Sequence, residues 1–263
     1  MSQPKIAIFD IETAPSLGYF WGKLYETDII EVDTPWYMLC FSYKWLGEKR
    51  IYTHSLRDYP GYQRDMENDK KLVESLHRLF DSADILIAHN GDRFDIRKSN
   101  AKFLKYDLKP PSHYRTVDTL KIARKHFGFD SSRLNALGQY LGVGGKKPTT
   151  GFDLWKRCMG GEDAAWKEME NYNRRDIELL EQIYLKLRPY AATHPNMALY
   201  AGSPGKYAKT SGHPPCQRCQ SIRTKKNGTW LVNAGRYQQM RCQDCGFTFK
   251  GGRLGGGYKA TAA

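Results

Sequence analysis

The apolar run Ile6-Ala7-Ile8-Phe9 passes directly into two carboxylates, Asp10 and Glu12. A run of this kind fits a buried strand. Strand side chains alternate between faces, so the two acids point the same way, about 7 Å apart along the chain. Like charges that close repel unless a proton or a cation sits between them. The segment therefore requires a sheet to bury the run and something to reconcile the acids.

The pattern downstream predicts that sheet. It places a strand over 5–12 and strands over 36–45 and 50–54 around Leu46-Gly47-Glu48-Lys49, together a three-stranded meander. A helix over 68–82 carries Leu72, Val73, Leu76, Leu79 and Phe80 at helical spacing, and the short apolar strand 85–88 follows it. Helix followed by buried strand is the signature of an α/β fold. A strand over 116–119 feeds a helix over 120–127. Ser131 or Ser132 caps a helix that carries Leu134, Leu137 and Leu141 and stops at Gly142, and a long helix over 163–187 is stopped by Pro189.

Further acids follow the same logic. HNGDRFD places Asn90 and Asp95 at the C-terminal end of strand 85–88, where α/β sheets carry their sites, and YNRRD puts Tyr172 and Asp176 on one face of one helical turn. Taken singly, each acid has an ordinary explanation as a cap, a turn former or a solvated helix face. Asp118, just before a helix, reads as an N-cap or network partner.

In combination, Asp-x-Glu, then Asn-x-x-x-Phe-Asp, then Tyr-x-x-x-Asp resembles the DEDD superfamily of 3′-5′ exonucleases, with its RNase H-like mixed sheet flanked by helices. The Tyr form is similar to the exonuclease domain of family B DNA polymerases. The resemblance covers about residues 5–187. It implies two divalent cations, Mg²⁺ or Mn²⁺, roughly 4 Å apart, which activate water and relieve charge on the leaving oxygen. Asp10 would bridge both, Glu12 and Asp176 would complete the water-activating site, and Asp95 would hold the second cation through water. Tyr172 would orient the attacking water, because a phenol with its ordinary pKa of about 10 is a poor base at neutral pH. Asn90 would contact the terminal nucleotide or fix its loop, and Phe94 would stack on substrate or, in the better fit, pack in the core. Arg133 and Asn135 lie on the helix near the expected cleft. His89 has no role in such a site, and Cys40 and Cys158 read as small core residues. The sequence departs from the family B polymerases after Asp95, where a basic stretch through Lys98, Lys102 and Lys105 points to a different duplex or RNA contact.

A second module follows. Cys216, Cys219, Cys242 and Cys245 form two C-x2-C pairs, the pattern of a closed structural Zn²⁺ site, and it resembles a zinc ribbon; a disulfide pairing is the alternative. The TWLV and FTF segments around them read as short strands, and the metal would supply the folding energy of so small a unit. The net charge of +13 concentrates here: residues 201–263 hold eleven Lys and Arg against one acid, Asp244. Arg218, Arg223, Arg236 and Arg241, interleaved with Trp230, Tyr237 and Phe247, suit phosphate contact and base stacking, although a docking or purely structural ribbon has the same composition.

The expected organisation is thus an exonuclease domain over 1–190, a linker over 191–212, a ribbon over 213–250 and a flexible tail over 251–263. With no apolar window long enough to span a membrane and no apolar leader, the chain reads as cytoplasmic, in a bacterial or phage-infected cell. The activity implied is release of mononucleotides from a single-stranded 3′ end, of DNA in preference to RNA. With no room for a polymerase domain, proofreading would act in trans, with a polymerase or a replication or repair assembly. A structure-selective endonuclease on the same scaffold, or a catalytically silent nucleic-acid adaptor, are the alternatives.

Overall fold

Strand β1 (Ile6–Thr13) is the middle strand of a five-stranded mixed sheet with the order β5-β4-β1-β6-β7, in which β4 is Met38–Trp45, β5 Tyr52–Ser55, β6 Ile85–Ala88 and β7 Arg115–Asp118. It pairs antiparallel with β4, Asp10 opposite Ser42 and Glu12 opposite Cys40, and parallel with β6, Ile8 opposite Ile87. β4 and β5 form the predicted hairpin, and β6 and β7 run parallel. Between β1 and β4, β2 (Leu17–Tyr19) and β3 (Glu31–Thr34) pair as a separate two-stranded ribbon. The computed structural model describes residues 4–21, 29–145, 149–200 and 212–255.

Alternation along β1 builds the core. Ala7, Phe9 and Ile11 share a buried cluster with Leu72, Val73, Leu76 and Phe80 of helix α1 (Lys70–Ser82), and the Phe9 and Phe80 rings meet edge-on at 5.2 Å. Each fully buried Leu, Val, Ile or Phe side chain here contributes about 1.5–3 kcal/mol. Cys40 and Cys158 are fully buried in this cluster, as small core residues.

Helix α2 (Asp95–Lys105) occupies the basic stretch after Asp95, for which the sequence pattern predicts no element. Its inward face is partly polar, which hides the helical period: Lys102, 3% exposed, pairs at 2.7 Å with the fully buried Asp69 at the head of α1. Asp69 also accepts from the Met38 amide at 2.7 Å and from the Tyr106 hydroxyl, and the Lys102 ammonium lies 4.5 Å from the centre of the Trp36 ring.

Helix α3 (Thr119–His126) is followed by α4 (Leu134–Tyr140), α5 (Phe152–Met159) and α6 (Asp163–Leu187). The residue capping α4 is Arg133 rather than a serine; Ser131 instead accepts the Arg133 amide in a short turn. Long polar side chains tie α6 to the sheet and to the 3₁₀ turn after β5: Lys44 pairs with Glu181, Arg57 of the turn with Glu170 at 3.0 Å, and Arg174 donates to Thr53 at 2.9 Å.

The chain divides into two units, Lys5–Tyr184 and the part from Leu185 onward. In the second unit, 191–200 is built structure rather than the expected linker: 3₁₀ turns at Arg188–Tyr190 and Met197–Tyr200 flank buried Ala191 and His194. Residues 201–211 of the expected linker lie outside the described residues. Strands β8 (Thr224–Val232), β9 (Gly235–Cys242) and β10 (Thr248–Arg253) form an antiparallel sheet in the order β10-β9-β8. β10 runs into the segment expected as tail, because residues 248–250 and Arg253 pair with β9; 256–263 lie outside the described residues. Among the described residues no helix is long and apolar enough to cross a membrane.

Candidate active site

Carboxylate oxygens of Asp10, Glu12 and Asp176 lie within 4.8 Å of one another. The first two share a face of β1 by strand alternation, and the third arrives from α6, which the polar ties to β4 and β5 hold against the sheet. Asp176 is 2% exposed, whereas Asp10 and Glu12 are half-buried, so the cluster is open on one side. Three hard oxygen donors converging at this separation suit a small divalent cation such as Mg²⁺ or Mn²⁺.

Asp95 stands outside that cluster. It opens α2 and is 2% exposed, and its Oδ1 accepts the Ile11 amide of β1 at 3.1 Å. β6 ends at Ala88, so β1 has no strand partner on that side at Ile11, and the carboxylate takes the partner's place. Burial pushes the Asp95 carboxyl up to about 7, against the Ile11 hydrogen bond, which favours its charged form.

Asn173 was not expected. Its Nδ2 donates to Asp10 Oδ2 at 2.7 Å and fixes that carboxylate, while its own fully buried Oδ1 has no hydrogen-bond partner among the described residues. The signal was present inside YNRRD, since Asn173 and Asp176 are three residues apart on one helical face. Tyr172, half-buried, presents its ring edge-on to Trp155 at 6.0 Å.

The remaining residues fall around this centre. Asn90 has φ 68°, a left-handed conformation that Asn tolerates, and its amide donates to Asp118 Oδ1 at 2.9 Å. Asp118 is the N-cap of α3, accepting from Leu120 and Lys121, and also binds the amide of Asp92, so it is both cap and network partner. Phe94 is not a core residue: it is 38% exposed, with the Lys98 ammonium 5.4 Å from its ring. His89 uses both ring nitrogens structurally, Nδ1 with the Thr119 hydroxyl at 2.9 Å and Nε2 with the Ser132 carbonyl at 3.0 Å. Asn135 is half-buried against the backbone at Gly145.

In the second unit the four sulfurs of Cys216, Cys219, Cys242 and Cys245 also lie within 4.8 Å of one another. Cys216 and Cys245 are 3.6 Å apart, as are Cys219 and Cys242. A disulfide needs about 2.05 Å. Four thiolates at about 2.3 Å around one tetrahedral ion stand about 3.8 Å apart, so the arrangement fits zinc and not cross-linking. Arg218 is not a surface phosphate contact: it is buried, donates to the carbonyls of Ala192 and His194, and stacks its guanidinium 4.2 Å from the Phe247 ring centre. Arg223 is exposed but paired with Asp244 at 3.0 Å, whereas Arg236 and Arg241 are exposed.

Residues 40–188 match the RNase_H superfamily. The chain belongs to the RNase H superfamily. The match takes in Asp95, Tyr172 and Asp176 but begins after Asp10 and Glu12, which the sheet brings beside Asp176. Over 142 residues, 49% of this chain, the sequence is 30% identical to the DNA polymerase III PolC-type of Ureaplasma parvum serovar 3, of which the chain spans only 9%. Among solved structures, the family B DNA polymerase of the hyperthermophilic archaeon Pyrobaculum calidifontis aligns over 90% of this chain and 32% of its own, with 14% identity and a TM-score of 0.46.

Proposed function

We propose that this chain is a metal-dependent 3′-5′ exonuclease that removes mononucleotides from single-stranded 3′ ends, DNA in preference to RNA. The observation that carries the reading is the convergence of Asp10, Glu12 and Asp176 to within 4.8 Å in an RNase H-superfamily fold. These three would hold divalent cations, and Asp95 would hold a second one through water. Such cations, when bound, lower the pKa of water and offset charge on the departing oxygen. Asn173 orients Asp10 by donating to its Oδ2. Tyr172, one turn before Asp176, would orient the attacking water through its hydroxyl.

The four-cysteine unit would hold one structural Zn²⁺. On β9, Tyr237, Gln239 and Arg241 alternate with buried Met240 and Cys242, Lys225 lies opposite Arg241, and the Lys250 ammonium sits 4.5 Å from the Tyr237 ring. This cationic and aromatic face supports a role as a nucleic-acid clamp. The similarity to part of a polymerase supports a partner of that kind in trans, in a cytoplasmic setting.

The test is chromatography of products from single-stranded DNA incubated with Mn²⁺. Nucleoside 5′-monophosphates from the wild type and none from Asp10→Ala are expected; equal release by both would remove Asp10 from the chemistry.

A further inference from the structure

A cleft of about 350 Å³ lies at the ends of β6 and β7, lined among others by Asn90, Arg93, Lys121, Arg124 and Lys125. That volume suits a nucleotide-sized group. β1, β6 and β7 are parallel, with Ile8 opposite Ile87 and Ala88 opposite Asp118, so all three end on one edge of the sheet. Adjacent strands are about 4.8 Å apart, which puts the cleft roughly two spacings, about 10 Å, from the strand that carries Asp10. A nucleic-acid strand whose end sits at the carboxylates reaches the cleft within its first few nucleotides.

The charge in the cleft is built from two separate elements. Lys121, Arg124 and Lys125 are spaced i, i+3, i+4 on α3 and project from one face, while Arg93 comes from the turn after β6. Cations in the last turn of a helix are common because they suit its dipole. That preference does not account for Arg93 lining the same cleft.

The one carboxylate lining the cleft does not neutralise these cations by contact. Asp118 is 6% exposed and already accepts from four backbone amides, those of Asn90, Asp92, Leu120 and Lys121. Asp92 pairs with Lys121, and among the described residues no ion pair engages Arg93, Arg124 or Lys125, all of them exposed. Asp118 instead ties the Asn90 turn to the head of α3, which fixes the two cationic walls relative to each other.

We infer that this cleft binds a backbone phosphate of the substrate strand, a few nucleotides upstream of the bond that is cut. The inference rests on the nuclease reading and adds to it a track for the strand, leading from the carboxylates across the end of β6 to α3.

The test is binding of a fluorescent single-stranded DNA 12-mer to the full chain in EDTA, followed by anisotropy across a series of salt concentrations. Each phosphate contact on a single strand contributes about 0.7 to the slope of log affinity against log salt. Arg124→Ala/Lys125→Ala, which removes the contact to that phosphate, should therefore lower the slope by about 0.7. Lys70→Ala/Lys167→Ala removes the same charge from exposed positions on α1 and α6 and should leave the slope close to that of the wild type. An unchanged slope in the first variant, or an equal fall in both, overturns the cleft. Because this readout needs no turnover, a wild type that binds with the expected slope difference but releases no nucleotide with Mn²⁺ would refute the nuclease reading and leave the cleft standing.

Discussion

Replacing Asp176 with asparagine should make the metal-free protein more stable while removing its response to metal. With carboxylate oxygens within 4.8 Å of one another, Asp10, Glu12 and Asp176 repel in three pairs, two of which involve Asp176. At that separation two unit charges repel by about 3.5 kcal/mol at an effective dielectric of 20, and by about 0.9 kcal/mol in bulk water. Relief of two pairs thus lies between about 2 and 7 kcal/mol. Proton uptake by the wild-type cluster limits the gain, which places the expectation at the low end, about 2 kcal/mol. For a unit of this size that corresponds to a Tm higher by about 4–8 °C. Scanning fluorimetry in EDTA reads it directly. Adding Mn²⁺ should reverse the order: at a hundred times its Kd the ion stabilises the wild type by about 2.7 kcal/mol, whereas the variant, with one donor weakened, gains little. A variant that melts below the wild type in EDTA would show that the carboxylates do not repel in the folded protein, and an equal response to Mn²⁺ would remove Asp176 from the cation site.

Other consequences are open to similar measurement. Lys102→Met leaves the fully buried Asp69 without its countercharge and should cost about 3–5 kcal/mol by urea unfolding, with much of the loss recovered in Asp69→Asn/Lys102→Met. Metal analysis of the native protein should give one zinc per chain, and Cys219→Ser should lose it and render residues 212–255 sensitive to protease. Burial pulls the His194 imidazole from 6.5 down to about 4. Between those values the unfolded chain binds a proton that the folded one refuses, so this contribution is complete above about pH 6.5 and is lost as the pH falls to about 4. His194→Gln should flatten the pH dependence of stability in that window by up to about 3 kcal/mol.

Legibility in the sequence followed the physics of each segment. The strand 85–88 is read correctly to the residue because a four-residue apolar run between a helix and a turn has few other solutions, and the long helix ending before Pro189 is equally plain. Helix α2 was missed because a lysine occupies one of its core positions, and only the tertiary pairing with Asp69 makes that tolerable. The same limit applies to arginine: Arg218 looks like a phosphate contact until its stacking on Phe247 is seen. At the site, alternation on β1 and helical spacing on α6 identify which side chains share a face. They do not give distances between elements, so the closeness of Asp10 to Asn173 and the position of Asp95 outside the cluster required the fold. Phe94 is exposed because it sits in the turn before α2 rather than on a regular apolar face.

The most direct test of the central claim is degradation of a 5′-labelled single-stranded DNA oligonucleotide, with RNA alongside, in Mg²⁺, Mn²⁺ or EDTA, by the wild type, Asp10→Ala and Asp176→Ala. A ladder that shortens from the 3′ end only with metal, proceeds faster on DNA and is absent in both variants is expected. Internal cuts would point to the endonuclease alternative, and intact substrate in every metal alongside tight binding would leave the protein a nucleic-acid adaptor rather than a nuclease.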